Sequence, residues 1–445
     1  MKMSFKDGIY LSLGTIAVSV LTHAALATEV IDNKDFGLDV WGRMQLLGVG
    51  EWVSDDIRDR GRAYLYIEQA RLGFEGHLGD YNYYTELALG GEDVISSSDI
   101  ALTLLEMRFD VPVVENTFIR VGQYKVPYGR EFLCDDGAIQ FPHRSINSLG
   151  FFLGRDVGAG VAMRKETFSG AIGVYTGGSR DIPQRYLPEN LGFPLVAMRV
   201  GLDSTSESAL ANRQAGNFVL KHTEKAAYFS AAYMKDTLIG HSTVLNLRPI
   251  DQNLLIDPNW NPYLALHPFA QTKLFEAALD GVVRSPFNDY VLSLEGELNA
   301  GVASNDYGAV RMYGGRLQAS ATKKPWEYAL RYAVLLPDKN FAGGAGTDFA
   351  AGSGPVPITP SGSPIHEVAS SITYYLRDWS RLVLEVNVLL NVPVIHESGI
   401  GSYVATEQPD QTTAPIKAGA TTSSVTGSID RELVPEVQGM WQISF

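Results

Sequence analysis

Side chains alternate with a period of two along most of this chain, and that alternation narrows the folds open to it more than any other feature. Leu72, Phe74 and Leu78 face one way, while Arg71, Glu75 and His77 face the other. Leu105, Met107, Phe109 and Val111 oppose Glu106, Arg108 and Asp110. Leu292, Leu294 and Leu298 oppose Glu295, Glu297 and Asn299, and Leu382, Leu384, Val386 and Val388 oppose Arg381, Glu385 and Asn387. A period of two is the signature of a strand with one apolar face. The runs last about ten residues, the length of a tilted membrane strand, against about five or six in soluble sheets. Charges keep to one face. That separation is required where the other face meets lipid, because a midplane Arg or Lys there costs about 2–4 kcal/mol.

The two ends of the chain agree with a wall of this kind. Val437, Gly439, Trp441, Ile443 and Phe445 alternate with Gln438, Met440, Gln442 and Ser444 up to the last residue. A terminal aromatic on such a strand resembles the closing strand of bacterial outer-membrane β-barrels. At the other end, Lys2 and Lys6 precede an apolar run from Ile9 to Leu21, followed by Ala25-Leu26-Ala27. This order predicts a secretory signal over residues 1–27, cut before Thr28. The bland alternative is a buried N-terminal helix. The remaining 418 residues (445 − 27) hold no apolar run near the roughly 20 residues of a membrane helix. An exported chain of this length is then either soluble or a membrane barrel, which needs no long apolar run.

Composition excludes several classes. The net charge of −14 makes nucleic acid a poor partner. Cys134 is the only cysteine, so no internal disulfide, Cys-x-x-Cys-His haem attachment or cysteine-based metal site can form. No cofactor or metal is expected. The content of 45% hydrophobic residues suits a wall with one lipid face, but it also suits an ordinary globular protein.

Tight connections are read at His77–Tyr81, Arg164–Phe168, Arg284–Asp289, Thr322–Trp326 and Leu376–Ser380. Long ones are read at Thr176–Pro194, Asp236–Gln271, Leu336–Ile365 and Val392–Arg431. Short turns alternating with long loops resemble periplasmic turns and extracellular loops. The expected fold is all-β: a transmembrane antiparallel β-barrel of 16 strands from a tally of 16–18, with one domain over residues 28–445. The tally blurs between Pro194 and Tyr233. The last strand is expected to pair with Leu382–Leu390 on one side and with the first strand near Leu38–Met44 on the other.

The most specific stretch is Gly122-Gln123-Tyr124-Lys125-Val126-Pro127-Tyr128-Gly129-Arg130-Glu131. Phe141-Pro142-His143-Arg144-Ser145 and Gly154-Arg155-Asp156-Val157-Gly158 follow it. This order resembles the phosphate-selective porin O/P family, whose members carry Gly-Gln-aromatic-Lys-x-Pro, then Arg-Ser, then Gly-Arg-Asp-x-Gly. Ala70-Arg71-Leu72-Gly73-Phe74-Glu75-Gly76 resembles that family's second strand. The likeness is strong from about Gly37 to Gly173 and returns at the terminal strand. It implies a 16-stranded barrel, usually a homotrimer, that passes small solutes passively across the outer membrane of a Gram-negative bacterium. Lipid and lipopolysaccharide would then be its surroundings, and the barrel-assembly machinery a partner of the strand ending at Phe445.

Pro127 cannot donate to a ladder, so a strand ends there. The segment to Arg155 follows the fifth strand, and residues 127–155 are the candidate inward-folded constriction loop. A loop packed on the outer rim is the competing reading. A pore selects by charge on its wall and at its narrowing. The constriction candidates are Lys125, Arg130, Glu131, Arg144, Arg155 and Asp156. The wall candidates are Arg43, Arg71, Arg108, Arg120, Arg199, Arg316 and Arg331, and Arg58, Arg60 and Arg62 cluster in the first loop. Against them stand Glu75, Glu86, Glu106, Asp110, Asp280, Glu295, Glu297 and Glu385, with Asp135 and Asp136 in the loop. Interleaved charges can be merely a lattice across the lumen, so a weakly selective channel is expected, with phosphate and other anions among the candidate solutes. No nucleophile elbow, His-Glu-x-x-His or Walker pattern is present, so no enzyme is expected. A small barrel protease or phospholipase and a secreted carbohydrate-binding β-protein remain as alternatives.

Overall fold

In a computed structural model of the protein, the residues described are 28–52, 62–91, 102–151, 153–177, 193–205, 207–236, 272–305, 308–337, 364–395 and 429–445. The expected signal segment, Arg58, Arg60 and most of the four long connections lie outside them.

The alternating runs are strands. A short β1 (Thr28–Asp32) leads into β2 (Phe36–Glu51), β3 (Arg62–Leu78), β4 (Tyr81–Gly91), β5 (Thr103–Val114) and β6 (Thr117–Lys125). Next come β7 (Arg155–Lys165), β8 (Phe168–Tyr175), β9 (Phe193–Asp203) and β10 (Glu224–Asp236). The chain finishes with β11 (Thr272–Phe287), β12 (Tyr290–Asn305), β13 (Gly308–Lys323), β14 (Trp326–Pro337), β15 (Ile365–Arg377), β16 (Ser380–Ile395) and β17 (Ile429–Ser444). Each strand from β2 to β17 pairs antiparallel with its sequence neighbours, and β17 pairs with β2, so 16 strands close into a barrel. Closure leaves no open edge, which lipid would penalise by several kcal/mol for each unpaired backbone group. Among the described residues no helix is long and apolar enough to cross a membrane.

The burial pattern is inverted relative to a soluble protein. On β12, Leu298 is 65% exposed on the outer face while its neighbour Glu297 is 3% exposed inside. Phe275, Leu279 and Val283 on β11 and Leu330 on β14 are likewise exposed, whereas Asp280, Arg316, Arg331 and Glu385 are buried. The apolar face therefore looks outward to lipid and the charged face inward. At one end of the barrel the outward belt turns aromatic. Phe287, Tyr290, Trp326 and Trp441 are exposed there, and Trp326 packs on Tyr374 with ring centroids 4.7 Å apart. Such a girdle marks a membrane–water interface.

That same end carries the tight turns. Leu78–Tyr81, Val114–Thr117, Lys165–Phe168 and Phe287–Tyr290 are each joined by two residues. Asn116, Glu166 and Asn288 take φ of 62°, 52° and 53°, the left-handed values that match a hairpin turn to the twist of its strands. One connection at this end is different. Between β9 and β10 the chain runs from residue 204 to 223 before the ladder resumes. This is the stretch whose alternation is blurred in the sequence.

β17 pairs with β16 as expected, but its other partner is shifted along β2. The ladder runs from Ser444 opposite Arg43 to Glu436 opposite Glu51, so of the expected Leu38–Met44 only Arg43 and Met44 take part. The reason is β1, which turns back through Asn33–Asp35 and takes the same edge of β2 from Gly37 to Val40. Phe445 caps the junction between them. Its backbone exchanges hydrogen bonds with Gly42 (2.9 and 2.7 Å), and its ring lies where a Cβ of Gly42 would stand.

Candidate functional site

The segment between β6 and β7 occupies the lumen, and its local structure follows from its sequence. Pro127 ends the β6 ladder. A turn of helix, α1 (Arg130–Leu133), precedes a 3₁₀ turn at Asp136–Ala138, where Asp135 accepts from the Gly137 N–H (2.7 Å). Ser145 then caps α2 (Ile146–Gly150), accepting from the Ser148 N–H.

Wall carboxylates supply partners that such short helices lack. Glu297 on β12 accepts from the backbone N–H groups of Arg130 (2.8 Å) and Glu131 (3.1 Å). Glu367 on β15 accepts from Ile146 N–H (2.7 Å). Polar side chains of the wall hold the rest of the loop. Arg331 donates to the His143 carbonyl (2.9 Å), Ser371 to Gln140 (2.9 Å), Arg381 to Ile139 (2.8 Å) and Gln442 to Gly137 (3.2 Å). Gln140 donates to Glu327 (2.7 Å) and accepts from Gln318 (2.6 Å). The loop is thus fastened across β12 to β17.

Ion pairs complete the attachment. Glu131, itself buried, lies 3.5 Å from Arg316 and 3.6 Å from Arg331 and accepts from Ser145. Arg316 also meets Glu295 (2.6 Å), and Arg331 also meets Glu367 and Glu385. Arg130 is wholly enclosed, pairing with Glu207 (3.1 Å) and Glu295 (3.3 Å). On the opposite wall Arg43 pairs with Asp135, and Arg71 with Glu86 (3.0 Å) and Asp136 (2.6 Å). Arg144 also pairs with Asp136. Burial opposes ionisation of Asp136, yet Arg144 and Arg71 beside it hold its carboxyl well below the usual carboxylate range.

The filling is one-sided. Toward β5 to β7 three inward arginines keep contact with water. Arg108, Arg120 and Arg155 are 21%, 11% and 10% exposed. Each has an acidic partner: Glu106 for Arg108 (2.7 Å), Asp110 for Arg120 (2.6 Å) and Glu106 for Arg155 (2.9 Å). Arg108 also lies over the Tyr84 ring at 4.0 Å. Lys125 donates to the carbonyls of Phe132 (3.2 Å) and Cys134 (2.8 Å).

The sequence candidates therefore separate into two groups, with Arg199 and Asp156 apart from both. Arg43, Arg71, Arg108, Arg120, Lys125, Arg144 and Arg155 gather around the loop and the β2–β7 wall. Arg130 and Glu131 of the loop and Arg316 and Arg331 of the wall are buried where the two meet. Arg199, also fully buried, forms a two-pronged pair with Asp280 away from the loop, over the Tyr228 ring. Asp156 accepts from Val157 N–H (2.7 Å), Thr176 Oγ1 (2.5 Å) and Gly177 N–H (2.6 Å), pinning the ends of β7 and β8. Sequence reasoning missed Glu207, Asn212 and Gln214, which sit in a stretch without periodicity. It also read Glu297 only as a wall charge and passed over Glu367. Their capping role depends on a loop far away in sequence.

Cys134 is buried, and its thiol donates toward the Ala138 carbonyl (3.5 Å). Burial pushes that thiol up to about 12. A maleimide at neutral pH is expected to label the folded protein about 100-fold more slowly than the denatured chain, since the thiolate is the reactive form. Equal rates would show that the loop does not enclose this residue. Among the described residues no group of three or more metal-ligating side chains occurs.

A closed 16-strand barrel with an aromatic girdle and a loop folded into a charged lumen has the architecture of a porin. Residues 50–186 match the profile of the family described as phosphate-selective porin O and P. No curated protein sequence matches the chain. Among solved structures, an anion-selective porin from Comamonas acidovorans shares the fold at a TM-score of 0.57 and 14% identity, covering 92% of this chain and 100% of that one. The outer membrane channel DcaP of Acinetobacter baumannii does so at 0.52 and 11%, covering 94% and 100%.

Proposed function

We propose that this barrel is a passive diffusion channel for small hydrophilic solutes and ions, with residues 127–155 as its constriction and with weak charge selectivity. The observation that carries the reading is the pairing of lumen charge. Arg108, Arg120, Arg144 and Arg155, partly exposed arginines of the loop and the β5–β7 wall, each hold a carboxylate within 4 Å. A strict anion filter needs basic groups left unpaired along the path. On this reading Arg43, Arg71, Arg108, Arg120, Lys125, Arg144 and Arg155 border the passage. Arg130, Glu131, Asp156, Arg199, Arg316 and Arg331 hold its frame. The channel carries out no chemistry on its solute.

Residues 1–27 are the export signal in this scheme, and residues 28–445 the single barrel. The long loops face outward and the tight turns face the periplasm. Insertion proceeds through the barrel-assembly machinery at the strand ending in Phe445, and the working unit is a homotrimer surrounded by lipid and lipopolysaccharide.

Planar-bilayer recordings test the reading. Purified protein is expected to give steady single-channel steps and a reversal potential near zero in a potassium chloride gradient. Replacing chloride with phosphate should lower the current without producing saturation. A strongly anion-selective reversal potential would overturn weak selectivity.

A further inference from the structure

We propose that residues 207–219, in the connection between β9 and β10, form a second jaw of the constriction, entering the lumen from the turn end and presenting Arg213 to passing ions. This inference rests on the channel reading above.

Every other described connection at the turn end is tight, so a run of this length needs a reason. The inner wall supplies a seat for it. Ala162, Ala171, Ala226 and Val282 make a small apolar patch, with Tyr228, on the inner face. Ala209 packs into this patch, and Leu210 lies against it. The Ala209 N–H donates to Ser169 Oγ (2.8 Å) beside it.

Beyond the seat, the segment meets the loop from the opposite end of the barrel. The backbone N–H groups of Gln214 (3.0 Å) and Ala215 (2.7 Å) both donate to the Ala138 carbonyl. Asn212 pairs as a single bridge with Cys134, accepts from the Arg130 guanidinium (3.0 Å) and donates to the Arg130 carbonyl (3.3 Å). Gln214 also donates to Glu295, the wall carboxylate shared by Arg130 and Arg316. A charge clamp closes the arrangement. Glu207 lies between Arg130 of the loop (3.1 Å) and Arg284 of the wall (2.8 Å), and Arg284 also donates to the Arg213 carbonyl. Farther along, Gly216 N–H reaches Glu327 (3.3 Å), and Phe218 packs edge-on against Tyr375 at 4.7 Å.

Two segments entering from opposite ends and joined backbone to backbone make one partition. A passage beside that partition is narrowed by both. The buried side of the jaw is the side that grips the loop. Its other side exposes Ala211 and Arg213. The Arg213 guanidinium donates only to the nearby Ala215 carbonyl (2.8 Å), and among the described residues no carboxylate lies within 4 Å of it. Unlike the paired arginines of the wall, it offers an uncompensated positive charge.

Two variants test the proposal in planar bilayers against the unaltered full-length protein. Replacing residues 208–217 by Gly-Gly is expected to raise single-channel conductance about twofold by widening the pore. Arg213→Glu, an exposed change that leaves the clamp in place, is expected to move the reversal potential toward cation preference with the barrel still assembled. Unchanged conductance in the first, or an unmoved reversal potential in the second, overturns the jaw. If the deletion does not assemble, Arg213→Glu decides alone. Absence of any steps from the unaltered protein would defeat the channel reading instead, so the two failures are distinguishable.

Discussion

Glu131→Ala is expected to release the inner loop while leaving the barrel closed. The Glu131 carboxylate accepts from Ser145 and lies within 3.6 Å of both Arg316 and Arg331. Removing one partner from a buried ion network costs about 3–5 kcal/mol, because the charges left behind lose part of their compensation and gain no water. None of that cost falls on the strand ladder. The variant should therefore still migrate as a folded, heat-modifiable band in detergent gels. Its single-channel steps should be larger and noisier than those of the unaltered protein, and an added protease should cut between Asp135 and Ser145. Deleting Asp135–Ser145 outright should raise conductance further and without noise. A quiet channel of unaltered conductance in both variants would remove the loop from its constriction role.

Gly122→Val strikes the ladder itself, and there the barrel is expected not to assemble. Gly122 sits opposite Arg108 where β5 and β6 pair, with φ of 125°. A Cβ at this position would stand 2.0 Å from the Met107 carbonyl oxygen, a backbone atom that cannot yield without breaking the pairing. Strain from the φ value alone is about 1–3 kcal/mol, and a β-branched side chain adds to it. The expected result is loss of the heat-modifiable band and accumulation of unfolded chain. Val121→Leu, one residue earlier on the lipid face, should assemble normally. Normal assembly of Gly122→Val would show that the β5–β6 pairing tolerates what its geometry forbids.

The stretch around Gly122 is legible in the amino-acid sequence. Pro127, which cannot donate to a ladder, announces that the strand stops, and the loop begins there. The alternation of β12 or β16 is legible for the same reason: each strand obeys a local rule, apolar out and polar in. Three features follow no local rule. The β17–β2 register depends on β1, five residues that compete for the same edge. Glu297 and Glu367 look like ordinary wall charges until a loop from elsewhere in the chain offers its amide groups. Residues 207–219 have no alternation because they lie in no sheet. Their contacts, such as Arg130 with Glu207 and Gly216 with Glu327, join positions far apart in sequence, and no period signals them.

The material that holds the loop also has a consequence for heat and salt. Beside the apolar packing of Phe141 on Ala329 and Ala369, much of its grip consists of buried ions and amide groups. Dissolved salt screens exposed pairs far more than buried ones, so raising ionic strength leaves such a grip almost untouched. The penalty for stripping water from charged groups falls as temperature rises, whereas apolar stabilisation per unit area levels off. The interior partition of this barrel is therefore built to keep its shape in hot or briny surroundings, conditions under which a plug seated on grease alone would gain nothing further.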